Sequence, residues 1–208
     1  MNENKVEKEV IERNKELVER YPFLLPRNVF TDKVIPDYDY EFTEYDNIAT
    51  GWRIAFGELL LEDLRETLVK TDYLDSFRFL QIKEKYGSLR LYTNGAPEEV
   101  YDVLQKYEFI SECICIKCGS PHACIVDDYG WYLPLCEECW NNSNKWREEK
   151  GYKVKSYEEA ANGNLYELPD SYTITRYSHG LYTDIVYDIS DVSQKIREAY
   201  EIRKGNKC

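Results

Sequence analysis

The chain lacks a long apolar run, an excess of positive charge and any stock of histidine. No stretch approaches the ~20 consecutive apolar residues of a membrane span. The first twenty residues alternate charges without the apolar core of a signal peptide. Both absences point to a cytoplasmic protein. Lys and Arg number 27 against 39 Asp and Glu, a net charge of −12. Non-specific nucleic-acid binding rests on basic side chains neutralising phosphates, so the whole chain is a poor candidate for it, and an anionic membrane would repel it. With two histidines, His122 and His179, there is little material for the commonest general base. Internal repeats and low-complexity linkers are missing too.

What is present is a sequence that folds. Hydrophobic residues make up 43% of 208, and 19 tyrosines stand beside 7 phenylalanines. Each tyrosine carries apolar area and a hydroxyl that needs a partner, which suits half-buried strands and binding surfaces alike. The length allows one domain with a substantial core, or two small ones.

Local patterns give the elements. Strong helix formers with Val6, Val10, Leu17 and Val18 predict a helix over 3–20, stopped by Pro22 and Pro26. Thr50 is a candidate N-cap for a second helix whose apolar stripe is Trp52, Ala55, Phe56, Leu59, Leu60, Leu64 and Leu68. Phe77, Phe79 and 80–83 read as a strand, Tyr86-Gly87 as a turn, and Leu89 and Leu91 as the return strand. Pro97 opens a third helix with Val100, Val103, Leu104 and Tyr107 on one side. Beyond residue 150 the pattern gives a loop, strands near 171–176 and 182–187, and a last helix from about Asp191. Helices and hairpins alternate without βαβ spacing, so the expected class is α+β. The expected organisation is a helical and hairpin region over 1–112, a metal module over 113–150 and a C-terminal α+β extension over 151–208, with one composite domain as the alternative.

The cysteines carry the chemistry. Six of the seven fall between Cys113 and Cys139. Cytoplasmic thiols stay reduced, so metal ligands and buried thiols are expected rather than disulfides. Cys115-Ile116-Lys117-Cys118-Gly119 and Cys136-Glu137-Glu138-Cys139 are two C-x2-C turns with residues 119–135 between them. That spacing is the one expected of a four-cysteine zinc site. Between the pairs, 123–126 reads as a strand, Asp127-Asp128-Tyr129-Gly130 as a turn and 131–133 as the return, with Pro134 at its end; a helix follows. Turn, hairpin, turn and helix is the order of a treble-clef finger. Cys115, Cys118, Cys136 and Cys139 are therefore the expected ligands of one structural Zn2+. Cys113 and Cys124 are weaker competitors, better read as packed thiols; His122 is an equally weak one, and Cys208 reads as a free terminal thiol. A closed four-thiolate site has no open position for water, so it supports folding and not hydrolysis. Treble-clef nucleases need a histidine base and a further metal site, for which His122 and His179 offer little; His179 reads as a loop residue.

Several segments together resemble an uncharacterised family of small phage and prophage proteins. They are Pro22–Asn28, Gly51–Glu58, Gln81-Ile82-Lys83-Glu84-Lys85-Tyr86-Gly87-Ser88-Leu89-Arg90-Leu91-Tyr92, and the two cysteine pairs with Gly130-Trp131. The resemblance covers roughly 21–140, with 81–92 its most specific part. It implies a phage accessory protein in a bacterial host cytoplasm, and no mechanism.

Two surface features are candidates for partner contact. Lys83, Lys85 and Arg90 make a small basic patch that could meet a phosphate or an acidic partner, or simply cover a sheet edge. The tract 37–46 holds five acids and four aromatics. There Tyr38, Tyr40 and Tyr45 could anchor a basic protein surface, or lie tucked onto the fold. The function expected first is a non-enzymatic, zinc-stabilised protein that binds another protein, with a host defence or regulatory factor as the guess from context. A nucleic-acid binder acting through Lys117 and Lys145 to Lys155 is the alternative. A small-nucleotide binder or enzyme using Arg53, Lys83, Lys85 or Arg90 comes third.

Overall fold

The computed structural model describes residues 3–28, 30–163, 167–178 and 180–206, without the side chains of 3–7 and 178. His179, Cys208 and the Val6 side chain, named above, lie outside the described residues.

The fold is α+β. Helix α1 spans Glu3–Arg20. A helical rod follows from Thr50, made of α2 (Thr50–Trp52), a π turn over Arg53–Gly57 and α3 (Glu58–Lys70). Strands β1 (Phe79–Lys85) and β2 (Ser88–Thr93) pair antiparallel, then α4 covers Glu98–Glu112. The hairpin of β3 (Ala123–Asp128) and β4 (Trp131–Cys136) runs into α5 (Glu137–Glu149). A short α6 (Tyr157–Ala161), the hairpin of β5 (Ser171–Ser178) and β6 (Leu181–Asp188), and α7 (Ser190–Gly205) complete the chain. Each hairpin is a separate two-stranded sheet.

The rod departs from the simple stripe. Trp52, Ala55 and Phe56 are buried as expected, but Leu61 is fully buried while Leu59 is only half-buried. A π turn holds one extra residue and so rotates the apolar face onward. Gly57 makes this possible. A Cβ there would sit 2.2 Å from the Tyr45 hydroxyl, which instead reaches the Arg53 carbonyl at 3.4 Å. Ala49, not Thr50, occupies the N-cap position, with no side-chain cap bond.

The two tight turns follow from residues that accept positive φ. Tyr86 and Gly87 lie at 55° and 82°, and Tyr129 and Gly130 at 55° and 97°, a combination that suits two-residue hairpin loops. The outer edge of β2 is closed by α4. The Leu89 amide donates to Ser111 Oγ at 2.8 Å and the Leu91 amide to Glu108 Oε1 at 2.7 Å. These amides point away from β1, so without α4 they would be buried and unpaired.

Two apolar cores result. The larger joins the Phe23, Phe77 and Phe79 rings, the rod, β1–β2 and α4 to Leu168, Tyr172, Ile189 and Ile196. The smaller lies under β3–β4 and α5 and includes Ala160 and Ala161 of α6. Among the described residues of 151–206, the buried apolar side chains divide between both cores. Helix α6 was expected as loop. Its capping box, Ser156 with Glu159, holds its first turn.

Candidate metal centre

The first cysteine pair sits in a backbone knuckle. The Cys115 amide donates to the Ser120 carbonyl at 2.8 Å, and the Gly119 amide to the Cys115 carbonyl at 2.9 Å. Gly119 takes φ +73°, a conformation that costs glycine nothing. The second pair straddles a strand–helix junction. Cys136 ends β4 and is the N-cap of α5, and Cys139 lies in the first turn. The Ile116 amide binds the Pro134 carbonyl at 2.9 Å, which locks the knuckle against β4. Pro134 lies inside β4, opposite Ile125, and not at its end. A two-stranded sheet has only edge strands, where proline's missing N–H is tolerated.

These seats bring the Sγ atoms of Cys115, Cys118, Cys136 and Cys139 within 4.8 Å of one another, with Cys118 and Cys136 at 3.6 Å. All four are free thiols. A disulfide needs sulfurs ~2.05 Å apart. A tetrahedron of thiolates ~2.3 Å from a metal has edges of about 3.8 Å. The spacing therefore fits a shared ion, and the four can hold a metal. Knuckle, hairpin and helix N-terminus follow one another in a treble-clef-like finger.

Electrostatics agree. Hydrogen bonds from the Cys118 and Cys136 thiols push the Cys115 thiol well below its ordinary value. The Cys136 thiol, bonded to Cys115, is pushed far above its own, and burial raises Cys139. Four sulfurs this close cannot all ionise unaided. A cation in their midst removes that conflict.

The competitors stand apart. Among the described residues the cluster contains only the four named sulfurs. Burial pushes Cys113 up to about 12 and also raises Cys124, whose sulfur contacts the Tyr157 hydroxyl at 3.2 Å. His122 is exposed beside the Tyr200 ring.

Two supports were not legible as such. The knuckle rests on the rod backbone to backbone. The Gly51 amide donates to the Ile116 carbonyl at 2.9 Å, and a Cβ on Gly51 would lie 2.1 Å from the Cys115 carbonyl oxygen. Trp52 Nε1 donates to the carbonyls of Ser111 and Ile114 at 3.0 and 3.1 Å, fixing the chain just before Cys115. On the opposite side, α6 seals the finger. The Tyr157 hydroxyl donates to the Leu135 carbonyl at 2.9 Å, and Trp140 Nε1 and Asn144 Nδ2 donate to the Lys155 carbonyl at 3.1 and 2.7 Å.

The surface candidates fare unequally. Tyr45 is 8% exposed and packed on the π turn, so it is corrected from partner anchor to core residue. Tyr38 and Tyr40 are half-buried, their rings 4.6 Å apart, with the Tyr38 hydroxyl bonded to the Phe42 carbonyl. They are tucked onto the fold. Lys83 and Arg90 face each other across β1–β2. Lys83 is engaged by Gln81 and the Tyr92 ring, Lys85 lies over the Tyr86 ring, and Arg90 pairs with Glu108. Arg53 pairs with Asp46.

The finger instead carries aromatic residues that the sequence reading passed over. Trp131 is 71% exposed, Tyr152 62% and Trp146 57%. Tyr129, Trp146, Arg147, Tyr152 and Lys153 line a hollow of about 310 Å3. A signal existed, since three of the chain's four tryptophans lie between 131 and 146. Among the described residues no helix is long and apolar enough to cross a membrane. No protein-family model matches the chain, and neither a curated protein nor a solved structure matches it significantly.

Proposed function

We propose that this chain is a zinc-stabilised binding protein without catalytic activity of its own, and that its partner is another protein. Zinc is the ion of choice for four clustered thiolates, since it accepts a tetrahedron and undergoes no redox change. With all four positions held by protein sulfur, its contribution is to folding.

The observation that carries the binding role is the exposure of Trp131, Trp146 and Tyr152 on the finger. Large aromatic side chains held rigidly at a surface are the residue types that anchor protein interfaces. The acidic balance, net −12, favours a basic partner surface. The resemblance to phage and prophage proteins supports a bacterial cytoplasm as the setting and a host regulatory or defence protein as the partner class. Nucleic-acid binding through the finger is disfavoured because two of its cations are already neutralised, Arg147 by Asp128 and Lys155 by Asp127.

The test combines metal analysis with capture. One zinc per chain is expected. A partner retained by the wild-type protein should be lost by the double variant Trp131→Ala, Tyr152→Ala while zinc content stays complete. Equal retention by that variant, or no retention by the wild type, rejects the reading.

A further inference from the structure

Among the described residues, three buried side-chain nitrogens have no hydrogen-bond partner, and two of them are Arg27 Nε and Arg78 Nε. An unpaired buried donor is costly, and more so when charged. Both arginines line one hollow of about 270 Å3, with Phe23, Phe79 and Leu25 as its apolar walls and none of the clustered cysteines in its lining.

The fold holds both in place. Arg27 follows Pro26 and forms an isolated bridge with Val34, and one of its terminal nitrogens donates to the Asp32 carbonyl at 2.8 Å. Arg78 precedes β1. Its amide donates to Asn94 Oδ1 at 2.9 Å, and Asn94 Nδ2 is in turn bonded to the Ser76 carbonyl at 2.8 Å. Two carboxylates, Asp32 and Asp75, act on Arg78. Asp32 Oδ1 is 3.7 Å from Arg78 Nε, beyond hydrogen-bond reach, and its side chain is 68% exposed. Burial and the neighbouring Arg27 charge both weaken the hold of Arg78 on its proton. Two guanidiniums therefore share a pocket in which neither Nε–H meets a carboxylate within hydrogen-bond distance. Terminal nitrogens of both are engaged, Arg27 with the Asp32 carbonyl and Arg78 with the Phe77 carbonyl at 2.5 Å, while both Nε–H groups lack an acceptor.

We infer that Arg27 and Arg78 form an oxyanion site for the phosphoryl group of a small phosphomonoester, seated by the two unpaired Nε–H donors with its organic part against Phe23 and Phe79. Guanidinium forks match phosphate oxygens in geometry and charge. A phosphomonoester carries close to two negative charges at neutral pH and so balances both arginines, whereas a carboxylate balances one. The hollow is smaller than the roughly 300–1,000 Å3 typical of drug-sized ligands, so the ligand body is small. The segment Pro22–Asn28 contributes Phe23, Leu25, Arg27 and Asn28 to the lining. The site is independent of the finger, and its failure would leave the proposed function untouched.

The test is titration of the zinc-loaded full chain with phenyl phosphate, inorganic phosphate and acetate at constant ionic strength, read by calorimetry and by the thermal midpoint. Saturable binding of both phosphates, tighter for phenyl phosphate, is expected, with at least ten-fold weaker binding in Arg27→Gln and in Arg78→Gln. Arg27→Lys, which keeps the charge but loses the fork, should fall between. Arg90→Gln, whose partner is Glu108, should bind as the wild type does. No saturable phosphate binding, equal binding of acetate, or unchanged affinity in both Gln variants and Arg27→Lys overturns the inference.

Discussion

Cys136 closes β4, occupies the N-cap position of α5 and offers its sulfur to three others, so a single thiol joins strand, helix and sulfur cluster. Cys136→Ser is expected to abolish stoichiometric metal and much of the finger's folding free energy. Cys124→Ser should keep one metal per chain, because its sulfur lies outside the cluster. Elemental analysis of both purified variants checks this. Gly51 is the other critical position. Gly51→Ala drives a methyl into the Cys115 carbonyl and should cost about 1–3 kcal/mol in denaturant unfolding. Asp127 supplies a pH-dependent contact. Its carboxylate accepts from Lys155 Nζ at 2.8 Å and from the Gly130 amide at 2.7 Å, which holds its pKa below the ordinary carboxylate value, Lys155 first. A depressed folded pKa means the contact stabilises fully above the unfolded pKa and is lost as pH falls through the folded one. An NMR titration of the Asp127 carboxyl carbon should give a midpoint below about 3.9, and Lys155→Met should move it upward.

Among the elements, α4 shields β2. Ser111→Ala leaves the Leu89 amide buried without an acceptor, which should cost about 1–3 kcal/mol and speed hydrogen exchange at Leu89 above its neighbours. The elements also show what a linear reading can and cannot recover. The hairpins were legible because alternation and the Tyr-Gly turns are local signals, and the four-cysteine cluster because C-x2-C spacing is itself the geometry. The π turn was not legible, since its extra residue depends on Tyr45 meeting Gly57 across a loop. Helix α6 has five residues, too few for periodicity, and only Ser156 and Glu159 announced it. Tyr45 misled for a related reason: acids flanking a tyrosine say nothing about which way its ring turns. Arg27 and Arg78 lie 51 positions apart (78 − 27), and only the folded chain brings them to one hollow.

Across the whole molecule, the two cores meet where the knuckle lies on the rod, through Gly51 and Trp52. Removing the metal with a chelator should therefore lower the midpoint of one common unfolding transition, followed both at Trp52 and at the finger. Two well-separated transitions would show that the halves unfold independently. The same seating sets a limit on dissection. An excised peptide of residues 113–161 would keep all four clustered sulfurs yet uncover the underside of its first turn, where the Ile116 carbonyl now meets an amide of the rod. Such a peptide should load zinc more weakly than the parent and stick to itself. Grafting this finger onto another protein would mean transplanting its pedestal as well.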